Sequence, residues 1–284
     1  MAQNKKAFSG FVDSTSYSMI SNRIEQRFNL LKARGEKALI IFITAGDPNL
    51  SLTETLVLEM EKRGVDIIEL GVPFSDPLAD GPTIQASSQR SLKKGTTLPK
   101  IINLVKKIRK KSHIPLALMG YYNPIYVYGV KRFVREASQA GVDGIIIPDL
   151  PPEEARELIR ESRRYGLANI FLLAPTSTKD RIKRVIRDGR GFIYYASITG
   201  VTGVREKLPQ GLHKKLDEIK SLTTRPVAVG FGVSKPSQIK AILKKAEGVI
   251  IGSSLIKIIE KYSASKTLVR QFSQKIDSFV QAVR

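Results

Sequence analysis

The chain contains no cysteine and no tryptophan, and only two histidines, His113 and His213, among 284 residues. Without thiols there is no disulfide framework, zinc–thiolate site, iron–sulfur cluster or thiol nucleophile. Two histidines exclude a multi-histidine metal site and a histidine-rich acid–base system. Proton transfer therefore falls to carboxylates, tyrosines or lysines. Also missing is any apolar run approaching the roughly 18 residues that span a bilayer, or an apolar signal core at the N-terminus. This composition argues against a membrane-spanning or secreted protein and leaves the cytosol and a plastid stroma as compartments.

Acidic residues are scarce, 26 Asp and Glu against 47 Lys and Arg, for a net charge of +21. Such a balance raises the question of a nucleic-acid or membrane surface. The basic clusters, KKIRKK at 106–111, RIKRVIR at 181–187 and KK at 244–245, are scattered over segments of helical period and are not interleaved with aromatics. They read as solvated outer helix faces, with a polyanion-binding surface as the alternative.

What is abundant is β-branched and apolar sequence in short runs. Residues 1–22 are Ser-rich and aperiodic and read as a mobile extension, and the amphipathic stretch from Arg23 opens a single domain over 23–284. Eight runs follow, starting at Leu39, Val65, Pro115, Gly144, Asn169, Phe192, Pro226 and Gly248, with helical periodicity between them. Continuous apolar character marks strands buried on both faces, and an intervening helix each time implies right-handed crossovers and a parallel sheet. Eight such units in about 250 residues predict a (β/α)8 barrel preceded by a helical extension. RGVDIIE at 63–69, AGVDGII at 140–146 and AEGVII at 246–251 echo one another, each with Gly and Val at the helix-to-strand turn. A doubly wound open sheet is the alternative, although no GxGxxG follows the first run. The longest spacings fall after the second and sixth runs, on strand-to-helix loops at the face where this fold assembles active sites.

The insertion after the second run, ELGVPFSDPLADGP from Glu69 to Pro82, concentrates carboxylates and prolines. Glu69 sits at a strand end, where no helix needs a cap and burial is costly unless the carboxyl is paired or used in its protonated form. It reads as catalytic. Asp80 follows on a loop that Pro73, Pro77 and Pro82 partly pre-organise. Two carboxyls in different environments suit two roles, one protonatable and one ionised. Asp76 fits either a pinned turn or a functional contact. Glycines recur at three further strand ends, in SITGVTG (197–203), GFGVS (230–234) and IGSS (251–254), the last opening a helix. Backbone N–H groups freed by glycine and a helix N-terminus are phosphate-binding devices. The tyrosines of MGYYNPIYVYG (119–129) and FIYYAS (192–197) supply aromatic walls or core packing.

FITAGDP (42–48), ELGVPFSDPLADGPTIQ (69–85), GYYNPI (120–125), IIPDLPPEE (146–154), TGVTG (199–203), GFGVS and GSS occur in one order over residues 25–265. In these motifs the chain resembles the α subunit of tryptophan synthase. The resemblance implies retro-aldol cleavage of indole-3-glycerol phosphate to indole and glyceraldehyde 3-phosphate, with no metal or organic cofactor in this chain. It implies Glu69 as general acid–base and Asp80 as the partner of the indole N–H. Phe42 and Ile84 would lie beside the indole, Tyr194 near the reacting centre and Thr202 on a closing loop. Gly203, Gly232, Gly252 and Ser253 would hold phosphate. It further implies a pyridoxal-phosphate-containing β subunit in an α2β2 assembly, met by Pro73, Asp76 and Pro77. A free-standing indole-releasing lyase and a weakly catalytic regulatory subunit are the alternatives. The wording of SITGVTG and KKGTTL is most similar to cyanobacterial and plastid members, whereas the basic charge, the long N-terminus and Ile251 before the Gly-Ser pair depart from the pattern.

Overall fold

Apolar runs flanked by amphipathic helices close on themselves in this chain, because each strand needs cover on both faces. The computed structural model describes residues 22–197, 211–230, 232–233 and 235–284. The strands are β1 (Ala38–Thr44), β2 (Ile67–Gly71), β3 (Leu116–Met119), β4 (Gly144–Ile146), β5 (Ala168–Ile170), β6 (Leu172–Leu173), β7 (Ile193–Ala196), β8 (Val227–Gly230) and β9 (Gly248–Ile251). All pairings are parallel, in the order β5-β4-β3-β2-β1-β9-β8-β7-β6. The described helices are α1 (Arg23–Ala33), α2 (Leu50–Lys62), α3 (Pro82–Lys93), α4 (Leu98–Ile108), α5 (Tyr122–Tyr128), α6 (Val130–Ala140), α7 (Arg156–Tyr165), α8 (Lys179–Asp188), α9 (Leu212–Lys220), α10 (Pro236–Leu243), α11 (Ser253–Tyr262) and α12 (Leu268–Val283).

The expected barrel is present, with one difference in strand count. The run expected as a single fifth strand is two segments that part at Phe171. Segment β5 pairs with β4 and segment β6 with β7. The Phe171 carbonyl accepts from the Tyr194 N–H at 3.3 Å, so the ring of strands closes through this bend. Closure forces a local change of direction that the apolar sequence does not signal. The long spacing after β2 is filled by an extra helix, α3, ahead of α4.

Alternation then sorts side chains into two layers. Ile40, Ile67, Met119, Ile146, Ile170, Tyr194 and Ile250 fill the interior. Leu39, Ile41, Ile43, Ile68 and Leu70 point outward against the helices. Helix α1 plugs one end: its Ile24, Phe28 and Leu31 join the interior cluster. Asn22 caps it, accepting from Ile24 N–H, while its amide donates to the Asp143 and Gly166 carbonyls at 2.8 and 2.9 Å.

The three echoing turns have a physical purpose. Asp66 accepts the Leu39 N–H at 2.8 Å, Asp143 the Leu116 N–H at 2.9 Å and Glu247 the Val227 N–H at 3.1 Å. Each acid clamps the start of the neighbouring strand. Each is neutralised: Asp66 by Arg284, Asp143 by Arg23 and Arg109, and Glu247 by Lys220. Arg109 is itself largely buried, so Asp143→Ala leaves its guanidinium without a counter-ion, held only by backbone carbonyls, and strands the Leu116 N–H. We expect a loss of about 3–5 kcal/mol, read as a lower urea midpoint.

Apart from Arg109, the basic clusters lie on outer helix faces. In α4, Ile101, Leu104, Val105 and Ile108 are buried while Lys106 and Lys107 face solvent. A groove of about 740 Å³ between α7 and α8 is lined by six arginines, among them Arg160, which pairs with Glu161, and Arg184, which pairs with Glu153.

Candidate active site

Register and parity place Glu69 beside Phe42: the two are partners across β1 and β2, at the end of the barrel opposite the α1 plug. Glu69 is fully buried, and neither carboxylate oxygen has a hydrogen-bond partner among the described residues. Loss of hydration disfavours the charged form and pushes this carboxyl up to about 8. It rests as the neutral acid at pH 7. Among the described residues the other buried acids, Asp47, Asp66, Asp143 and Glu161, all have donors, so an unpartnered one is an exception that calls for a ligand.

Asp80 reaches the same region from the loop between β2 and α3. That loop is built by backbone bonds, Val72 N–H to the Met119 carbonyl at 2.7 Å and Asp80 N–H to the Pro77 carbonyl at 3.0 Å. Gln85 Nε2 donates to the Asp80 carbonyl at 2.9 Å. Burial pushes the Asp80 carboxyl up to about 6, and a hydrogen bond from the Tyr121 hydroxyl opposes that shift. Asp80 is thus mostly ionised at pH 7 while Glu69 is not. Two acids with separated protonation states are the signature of divided acid–base roles.

Tyr194, on the interior face of β7, links them. Burial and the nearby charges of Glu69 and Asp80 raise its phenol well above the usual value, keeping it a proton donor. Its hydroxyl lies against Gly230, where an added Cβ would come within 2.6 Å. Phe42 is wedged in the same way between Gly71 and Gly252, whose Cβ positions would fall 2.5 and 3.1 Å from its ring. Glycine is required at these positions by close approach rather than by a turn.

At the far side of the mouth, helix α11 begins at Ser253 after Gly252, with its first N–H groups directed out of the helix. The Ser254 hydroxyl is buried there without a partner. Gly232, in the loop after β8, has φ of +78°, a conformation open to glycine. Helix N-termini and glycine-bearing turns are the kinds of backbone that offer donors to an anion. Thr202 and Gly203 lie outside the described residues.

The remaining sequence-predicted residues lie on the Asp80 loop and on the helix it leads into. Ile84 is buried in the first turn of α3 with the outer layer, against which Phe42 also packs. Pro73 and Pro77 are buried in the loop, and Asp76 is exposed there, accepting from the Ser75 hydroxyl. Two polar groups were not singled out from the sequence: Ser254, although the Gly-Ser-Ser motif contains it, and Tyr121. Among the described residues no cluster of three His, Asp or Glu side chains forms a metal site. None of their helices is long and apolar enough to cross a membrane.

A closed parallel barrel with a divided carboxylate pair at one mouth defines a (β/α)8-barrel enzyme. The chain belongs to the tryptophan synthase alpha chain family, whose model matches residues 28–284. It is 51% identical over 263 residues to the tryptophan synthase alpha chain of Citrifermentans bemidjiense, covering 93% of this chain and 97% of that one. Among solved structures, tryptophan synthase subunit alpha from Legionella pneumophila superposes with a TM-score of 0.86 at 38% identity, over 93% of this chain and 99% of the other. The tryptophan synthase complex from Pyrococcus furiosus gives 0.80 at 38% identity, over 87% and 99%.

Proposed function

We propose that Glu69 and Asp80 cleave indole-3-glycerol phosphate to indole and glyceraldehyde 3-phosphate, a carbon–carbon lyase step of tryptophan biosynthesis. The buried, unpartnered Glu69 carboxyl carries the reading. As a neutral acid it donates its proton to indole C3. The positive charge that develops on the ring is met by ionised Asp80 at the indole N–H. The Glu69 carboxylate so formed takes the proton of the glycerol hydroxyl as the carbon–carbon bond breaks, electrons return to the ring and the aldehyde forms. Glu69 ends protonated, so the cycle is balanced without any other acid or base. The chemistry asks for no cofactor in this chain.

Phe42 and Ile84 flank the indole in this reading, and Tyr194 donates near the reacting centre. Gly203, Gly232, Gly252 and Ser253 hold the phosphate, with Thr202 on the loop that covers it. A valine at position 252 would push on the Phe42 ring and crowd the phosphate site. Gly252→Val should therefore raise KM for indole-3-glycerol phosphate at least tenfold with a smaller change in kcat, measured by steady-state indole release.

The partner is a tryptophan synthase β subunit, which carries pyridoxal phosphate and receives indole. Leu78 at the loop tip is 86% exposed and Val127 on α5 78% exposed, with Tyr126 beside it. Such apolar exposure next to Pro73, Asp76 and Pro77 suits a protein interface. The relatives at 44–51% identity are bacterial, which favours the cytoplasm and gives no support to the plastid alternative. The deciding experiment is indole release from indole-3-glycerol phosphate by the purified chain, alone and with a β subunit. Release that rises with β supports the subunit reading. Equal release in both conditions points to a free-standing lyase, and none in either to a regulatory subunit.

A further inference from the structure

Tyr121 is the residue of the tyrosine-rich segment that the reading above leaves unused. It follows β3, caps the start of α5 and is almost wholly buried. Its hydroxyl accepts the Ala79 N–H at 2.9 Å, one residue before Asp80, and favours the charged form of that carboxyl. Its ring stacks on Phe74, centroids 5.4 Å apart. One side chain from the rigid barrel thus holds the Asp80 loop at two places, although Leu78 between them projects into solvent.

We propose that Tyr121 is a positioning residue for the lyase reaction, holding the loop so that the Asp80 carboxylate faces the indole N–H. The proposal rests on the assignment of Asp80 made above. A hydroxyl that accepts from the loop backbone at Ala79 keeps its own proton to offer to the neighbouring Asp80 carboxylate, and a hydrogen bond to an ionised acceptor is about twice as strong as a neutral one. The bond favours the charged form of Asp80, against burial. Other groups facing the pair are Tyr194 from β7, Glu69 beyond it on β2, and Asp149 after β4. Asp149 is occupied by the Tyr122 N–H, at 3.0 Å. None of these replaces the lost donor if the Tyr121 hydroxyl is removed.

The test is Tyr121→Phe in the full chain, which keeps the ring against Phe74 and removes only the hydroxyl. Indole release is followed across pH 5–9 beside Asp80→Asn and the double variant. We expect kcat to fall about tenfold and the acid limb of the pH profile to move to higher pH. In the Asp80→Asn background the same change should have no further effect. A reduced kcat with the acid limb in place, or an equal additional loss in that background, would mean a merely structural role and overturn the proposal. Wild-type behaviour of Tyr121→Phe with an impaired Asp80→Asn would overturn it while sparing the Asp80 assignment. If Asp80→Asn itself retains full turnover, the underlying assignment fails first.

Discussion

Glu69→Gln should lower turnover of indole-3-glycerol phosphate by at least about a hundredfold, the scale of a lost general acid–base, and at the same time make the protein more stable at pH 7. The two effects have one cause. The carboxyl is fully buried without a donor, and its pKa is raised from 4.5 to about 8. Between those values the native state binds a proton that the unfolded chain releases. Stability from this group is fully present below pH 4.5, declines as pH rises, and stops declining above about 8 where the native carboxyl also ionises. At pH 7 the cost is on the order of 3 kcal/mol. Glutamine has the same shape and no charge to suppress, so denaturant midpoints of the variant should exceed wild type at pH 7 and converge with it near pH 4. Loss of turnover with loss of stability would instead mean that Glu69 is a structural acid like Asp143. Catalytic groups maintained at a cost to folding are the familiar source of such trade-offs.

Much of this was legible in the sequence because it is carried by local pattern. Buried runs such as LIIFIT have no polar face to show to solvent, which fixes a parallel, doubly covered sheet. A glutamate inside such a run, in IIELG, has no water to ionise into, so Glu69 stands out in the sequence alone. The residues that escaped are those whose meaning depends on distant neighbours. Phe171 is an acceptable strand residue, and only ring closure makes it the bend between β5 and β6. Tyr121 is separated from Asp80 by two helices and a strand, and nothing in GYYNPI shows which tyrosine turns toward the loop. The repeated turns before β2, β4 and β9 were visible as an echo of Gly and Val. The function of the echo lies in the acid beside them, which is revealed by the N–H of the adjoining strand.

Asp80→Asn should separate binding from chemistry. The phosphate site proposed at Gly232 and α11 is built from other elements, so affinity for phosphate-bearing ligands should persist. Asparagine keeps a carbonyl acceptor for the indole N–H but has no charge to set against the ring cation. The interaction lost is therefore the one that grows toward the transition state, and kcat should fall by on the order of a hundredfold while KM changes little. A rise in KM alone would assign Asp80 to ground-state binding. The pH profile provides a second, independent reading. In wild type kcat/KM should be bell-shaped: it falls below about 6 as Asp80 is neutralised and above about 8 as Glu69 loses the proton it must donate. In Asp80→Asn the residual activity should lose the acid limb and keep the basic one. The opposite assignment, with Glu69 as the ionised base at rest, requires activity to rise through pH 8. A single profile therefore decides which carboxyl holds the proton when substrate arrives.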